Sequence, residues 1–169
     1  MKVFWITGLP GAGKTTVATL LFKKLKSQQA NVILLDGDSL RKIFADEVNF
    51  DYECRKNLAM KYSMLSKYLS DQGMIVIIAT VSMFHEIRDW NRKNIESYVE
   101  VYVKVPLDIL ISRDQKNLYS KAARGEISNV LGLNVHFEEP QSPDITIENN
   151  GVLTPSKLAE QVLEFAELP

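Results

Sequence analysis

Five short apolar runs punctuate the chain, at 2–7, 31–35, 74–79, 98–104 and 144–147, each of strand length and each closed by turn-forming residues. Met74-Ile75-Val76-Ile77-Ile78-Ala79 is apolar at every position instead of every second one, so that strand is expected to be covered on both faces. Between the runs, apolar residues return at helical spacing and predict helices over 13–28, 38–45, 52–71, 84–96, 106–112 and 154–166. Thr154-Pro155 marks the last start, a capping hydroxyl followed by proline in the first turn. The alternation predicts an α/β domain of three layers, with a mostly parallel five-stranded sheet between helices on both faces. Trp5 and the stripe Tyr62, Leu65, Leu69 are read as core. Only 114–143 breaks the rhythm: Lys, Arg, Gly and Asn crowd together and Pro140 and Pro143 follow, as in a mobile lid. No repeat or linker divides the remainder, so residues 1–169 are read as one domain.

Charge narrows the partners. Lys and Arg number 20 against 21 Asp and Glu, which leaves no broad basic field for a nucleic acid polymer, so phosphate recognition has to be local. No apolar run reaches bilayer length and the N-terminus does not read as a signal peptide, so no membrane partner and a cytoplasmic location are expected. Cys54 is the single cysteine and can form no intrachain disulfide. His85 and His136 do not share a metal-site spacing.

The first strand runs into Gly8-Leu9-Pro10-Gly11-Ala12-Gly13-Lys14-Thr15-Thr16, a full match to G-x-x-x-x-G-K-[ST] between a strand and a helix. Glycines let such a loop curl so that several N–H groups point at one anion, and the following helix directs its positive end there. Lys14 supplies a mobile charge for the β- and γ-phosphates, and the Thr15 hydroxyl is suited to Mg²⁺. The expected ligands are therefore a nucleoside triphosphate and Mg²⁺. A guanine-reading Asn-Lys-x-Asp is missing, since Asn91-Arg92-Lys93-Asn94 lacks the acid, and Ala79-Thr80-Val81-Ser82 after the third strand lacks the acid of an ATP-driven motor. A small-molecule kinase remains, in which a carboxylate serves the acceptor hydroxyl and cations hold the acceptor's own charge. Asp36, Asp38 and Arg41 stand at the carboxyl end of the second strand, where open parallel sheets gather ligands.

In these residues the chain resembles the adenylylsulfate kinases, which transfer the γ-phosphate of ATP to the ribose 3′-hydroxyl of adenosine 5′-phosphosulfate, so ATP is the triphosphate the resemblance implies. The resemblance is carried by the loop at 8–16, Leu35-Asp36-Gly37-Asp38 with Arg41, the segment Phe50…Arg55…Asn57, Ser82, Val105-Pro106-Leu107 before Arg113-Asp114, Leu118-Tyr119-Ser120-Lys121-Ala122, Gly125-Glu126-Ile127 and Glu138-Glu139-Pro140. It implies that Asp36 serves the acceptor hydroxyl and Mg²⁺, and that Asp38, Arg41, Arg55 and Asn57 hold a nucleotide acceptor. Phe50 would pack on the acceptor's base, Ser82 would bind beside the transferred group, and Arg113 and Lys121 would neutralise phosphate charge from the lid. It also implies a homodimer and a place in sulfate assimilation. The chain departs from the family pattern at Ser39, where an asparagine is common, at Met83, where a proline is common, and by one residue fewer between Arg55 and Asn57. Most consequential is Val130-Leu131-Gly132-Leu133-Asn134-Val135-His136-Phe137, which lacks the phenylalanine that the family stacks on adenine. That departure keeps a second acceptor in play, cytidine diphosphoramidate, the substrate of family relatives in capsule and surface-polysaccharide pathways. A nucleotide-binding module without turnover is the reading from another class, and intact Lys14 and Asp36 argue against it.

Overall fold

A computed structural model of the protein describes residues 1–44, 51–128, 130–133 and 135–167. The five expected strands are β1 (Lys2–Thr7), β2 (Val32–Asp36), β3 (Ile75–Ala79), β4 (Ser97–Lys104) and β5 (Ile145–Glu148). They form one sheet in the order β2-β3-β1-β4-β5, and every neighbouring pair is parallel, where the sequence predicted only a mostly parallel sheet. Parallel neighbours need long crossovers, which here contain α1 (Lys14–Gln28), α2 (Gly37–Phe44), α3 (Tyr52–Asp71), α4 (His85–Asn94) and α5 (Leu107–Arg113), while α7 (Pro155–Phe165) follows β5.

The period of two along each strand divides the core into two layers. Phe4 and Ile6 point with Ile77 and Val101 toward Leu21 and Leu25 of α1 and Leu158 and Val162 of α7. Val3 and Trp5 point the other way, with Val76 and Ile78, toward Ala59 and Tyr62 of α3 and Ile87 of α4. This is why β3 carries no polar position: all five of its residues are buried. Each such side chain contributes roughly 1.5–3 kcal/mol of burial. Trp5 is in the core, as expected, and Leu65 and Leu69 pack against the same layer as Tyr62.

One polar cluster crosses this apolar frame. Arg88 of α4 and Glu100 of β4, 3% and 2% exposed, lie 3.4 Å apart, and Arg92 reaches both Glu100 (2.9 Å) and Asp144 (3.1 Å). Arg88 also donates to the Glu138 carbonyl at 2.8 Å, tying α4 to the end of the lid.

The stretch expected to be an irregular lid is more regular than its composition suggests. It contains a 3-10 turn at Gln115–Asn117 and the short helix α6 (Leu118–Ala123). Asp114 explains both: in the left-handed region at φ 37° it ends α5, and its Oδ1 accepts the N–H groups of Tyr119 (2.8 Å) and Ser120 (3.0 Å) to start α6. The lid packs back on the domain through buried Val130, and the Tyr119 hydroxyl donates to Pro10 of the phosphate loop at 3.0 Å. Thr154 caps α7 as read, its hydroxyl accepting from Lys157 N at 3.4 Å. Among the described residues no helix is long and apolar enough to cross a membrane.

Candidate active site

The carboxyl ends of β1, β2 and β3 open into a cavity of about 410 Å³, roofed by the lid and bordered by the N-terminal half of α3. β1 is flanked by β3 and β4, so the crossovers leaving β1 and β3 depart toward opposite faces and leave a crevice between them.

The phosphate loop forms one wall. Lys14 is buried, and its Nζ donates to the Leu9 carbonyl at 2.9 Å. Burial pushes its ammonium down to about 8, with Asp38 and then Asp36 drawing it part of the way back. Thr15 Oγ1 donates to Asp36 Oδ1 at 3.2 Å. The same carboxylate caps a helix: α2 begins one residue earlier than expected, at Gly37, and Asp36 Oδ2 accepts from Ser39 N (3.1 Å) and Ser39 Oγ (3.3 Å). Gly37 has a steric reason, because a Cβ there would lie 2.9 Å from the Ala79 carbonyl of the neighbouring strand. Hydroxyl and carboxylate oxygens side by side suit Mg²⁺, which takes one or two protein oxygens and completes its shell with phosphate and water.

Asp38, in the first turn of α2, faces two cations, Lys116 at 3.0 Å and Arg41 at 3.3 Å. The Lys116 hydrogen bond is the largest influence holding its carboxyl below the usual carboxylate range. Lys116 comes from the lid, where Asp114, Lys116 and Asn117 all have positive φ (37°, 60° and 56°). Left-handed backbone at non-glycine residues is costly, and here it turns the lysine inward over the strand ends.

The third wall is a face of α3. Arg55, Leu58 and Tyr62, at i, i+3 and i+7, border the cavity. The Tyr62 hydroxyl donates to the Gly37 carbonyl at 3.2 Å, and burial pushes it up to about 12. Beyond β3, the Thr80 and Ser82 hydroxyls are 2.7 Å apart and the Val81 carbonyl accepts from Thr7 Oγ1 at 2.7 Å, which fixes this turn against β1. Tyr52 stands edge-on to Phe84, ring centroids 5.2 Å apart, and donates to Glu138 Oε1 at 3.2 Å. Glu138 also accepts from His85 N.

The structure therefore brings Lys14, Thr15, Thr16, Asp36, Asp38, Arg41, Arg55 and Ser82 to one cavity, with Pro10, Gly11 and Gly13 on its rim. Leu9 and Ala12 are buried beneath the loop. Gly8, at the start of the loop, does not border the cavity, and outside the loop three more expected residues do not border it. Asn57 is two residues from Arg55, about 200° around the helix, and is exposed on the opposite face. Lys121 is exposed on α6 outside the cavity. Arg113 ends α5 and donates to the Asn149 carbonyl at 2.9 Å instead of entering the cavity. Phe50 lies outside the described residues. The sequence reading missed Lys116, Tyr52, Phe84, Phe137 and Glu138, all of which border the cavity. Tyr52 could have been reached from Arg55 by helical spacing, whereas no pattern announced the left-handed turn that delivers Lys116.

Comparison with known proteins agrees with this arrangement. The family model described as adenylylsulphate kinase matches residues 1–148. The cytidine diphosphoramidate kinase of Campylobacter jejuni is 45% identical over 148 residues, covering 88% of this chain and 86% of the relative. The probable adenylyl-sulfate kinase of Archaeoglobus fulgidus is 43% identical over 148 residues, covering 88% and 96%. Among solved structures, the Mycobacterium tuberculosis APS kinase in complex with AMPPNP and APS superposes with a TM-score of 0.91 at 30% identity, covering 98% of this chain and 97% of that one. With the phosphate loop, the strand-end carboxylates and the parallel sheet in place, these matches establish that the chain belongs to the adenylylsulphate kinase family, phosphotransferases whose acceptor is an alcohol.

Proposed function

We propose that the protein transfers the γ-phosphate of ATP to the ribose 3′-hydroxyl of a nucleotide that carries a small anhydride-linked group at its 5′ end. The observation that carries this reading is the convergence of Lys14, Thr15, Asp36, Asp38, Arg41 and Arg55 on one cavity at the strand ends. Lys14 and the loop N–H groups receive the triphosphate. Thr15 and Asp36 would hold Mg²⁺, which supplies charge neutralisation across the β- and γ-phosphates when bound. Asp36 orients the acceptor hydroxyl and takes its proton as the oxygen attacks Pγ in line, while the bond from Pγ to the β,γ-bridging oxygen breaks and ADP leaves. Arg41 and Arg55 hold the acceptor's charged 5′ group, and the paired Thr80 and Ser82 hydroxyls line the transfer path. Lys116 moves from Asp38 to the transferring charge as ligands enter.

Adenosine 5′-phosphosulfate is the first acceptor, supported by the family match and by the complex of the mycobacterial relative with APS. Cytidine diphosphoramidate is a second reading with its own support. The lid faces the cavity with Val130 and Leu131, aliphatic at the place of the family's stacking ring, and a 45% identical relative is named for that substrate. Purified protein with Mg²⁺, ATP and each acceptor in turn tests both, by the kcat/KM for 3′-phosphorylated product. No such product from either acceptor rejects the proposal, and ATP binding without acceptor-dependent ADP release favours a module without turnover.

A further inference from the structure

Asn149, the residue after β5, makes three sets of contacts. Its N–H donates to the Lys104 carbonyl at 2.9 Å, prolonging the pairing of β4 and β5. Its carbonyl accepts from Arg113 Nη2 at 2.9 Å, with its Oδ1 3.5 Å from the same nitrogen. Its Nδ2 donates to the Ala12 carbonyl, inside the phosphate loop, at 2.7 Å. A loop that aims N–H groups at an anion has to turn carbonyls elsewhere, and each of those needs a donor. The Ala12 carbonyl and the Gly13 N–H belong to one planar trans peptide and point in opposite directions, so fixing the first aims the second. Gly13 shows how closely the two segments fit: a Cβ at this residue, φ 91°, would lie 2.6 Å from Asn149 Nδ2.

We propose that Asn149 is a positioning residue for ATP, holding the Ala12–Gly13 peptide in its phosphate-receiving orientation and joining it, through Arg113, to the root of the lid. Arg113 precedes Asp114, where the lid begins, and acts through Asn149 instead of on phosphate. The inference rests on the reading of the phosphate loop as the ATP site. Its test is therefore ATP binding without acceptor, by calorimetry, on wild type, Asn149→Ala, Asn149→Asp and Arg113→Gln. Both Asn149 variants are expected to bind ATP about five- to tenfold more weakly, the range implied by one lost hydrogen bond. Arg113→Gln is expected to lose about two- to threefold, and combining it with Asn149→Ala to add little, because both act on one peptide. In turnover the KM for ATP should rise while kcat and the acceptor's KM hold. Unchanged ATP affinity in Asn149→Ala, or an equal rise in the acceptor's KM, overturns the inference. Should Asn149→Ala not fold, Arg113→Gln decides by the same criteria. A wild type that binds no ATP overturns the donor-site reading instead, which keeps the two failures apart.

Discussion

The buried ammonium of Lys14 makes ATP affinity depend on pH, with a magnitude that follows from the site. In the free protein this group titrates near 8 instead of 10.5, because the loop removes it from water and Asp38 and Asp36 compensate only in part. At ~1.4 kcal/mol per pH unit, that gap is worth about 3 kcal/mol, the most that an arriving triphosphate can regain by returning the lysine to its ordinary range. The sign runs one way. Below pH 7.5 both free and bound forms carry the proton, whereas above 8 the free form loses it and the bound form keeps it, so binding takes up a proton and affinity falls. With a free-state value near 8, the fall is about tenfold between pH 7 and pH 9. Folding responds in the opposite sense: between 8 and 10.5 the unfolded chain holds the extra proton, so this group's contribution to stability rises with pH while affinity drops. Asp38 is ionised throughout this range, and Tyr62, pushed up to about 12, stays neutral, so neither reproduces the effect. Calorimetric titration of ATP at pH 7, 8 and 9 reads the affinity, and repeating it in buffers of different ionisation enthalpy counts the proton. Lys14→Arg, whose guanidinium stays charged, should bind more weakly but with a flat profile. Affinity constant from pH 7 to 9 in the wild type, or the same decline in Lys14→Arg, would refute the reasoning.

Three further outcomes can be checked on the same protein. Asp36→Asn keeps an N-cap for α2 and removes the base, so kcat should fall about 10²- to 10⁴-fold while the melting temperature moves little. Lys116→Ala breaks an ion pair whose side chains are 75% and 56% exposed, so stability should change by at most ~1 kcal/mol in a urea titration. kcat should fall about tenfold or more, as for one lost charge-assisted hydrogen bond to the transferring charge. Arg88→Met removes the more deeply buried of the two α4 arginines paired with Glu100 and leaves Arg92 as its cation, so it should cost about 1–3 kcal/mol in urea denaturation, and adding Glu100→Leu should recover much of it.

Most of the fold was legible along the chain because its elements obey local rules. β3 lies inside its predicted bounds, with an apolar run that only a doubly covered strand can bury, and α7 begins where Thr154-Pro155 announces it. α6 was missed because six residues are too few to display a period, and its start is decided by the Asp114 carboxylate accepting two N–H groups. The site divides along the same line. The phosphate loop and Asp36 were readable because each stands where a strand ends and a helix begins. Asn57 was misplaced because a motif spacing carries no helical phase: two residues from Arg55 is the far side of α3.

Hydrophobic period, glycine spacing and helix caps act over a few residues, so by itself the sequence determined the α/β alternation, the family, the ATP loop and the carboxylates at the end of β2. Which side chains meet across the cavity depends on strand order and on backbone angles at single residues, and only the tertiary structure decided it. It placed Lys116 against Asp38, 78 residues away in the chain, through a left-handed turn. It took Arg113 from the expected phosphate and joined it, through Asn149, to the Ala12 carbonyl, a contact between segments 137 residues apart that no local pattern encodes.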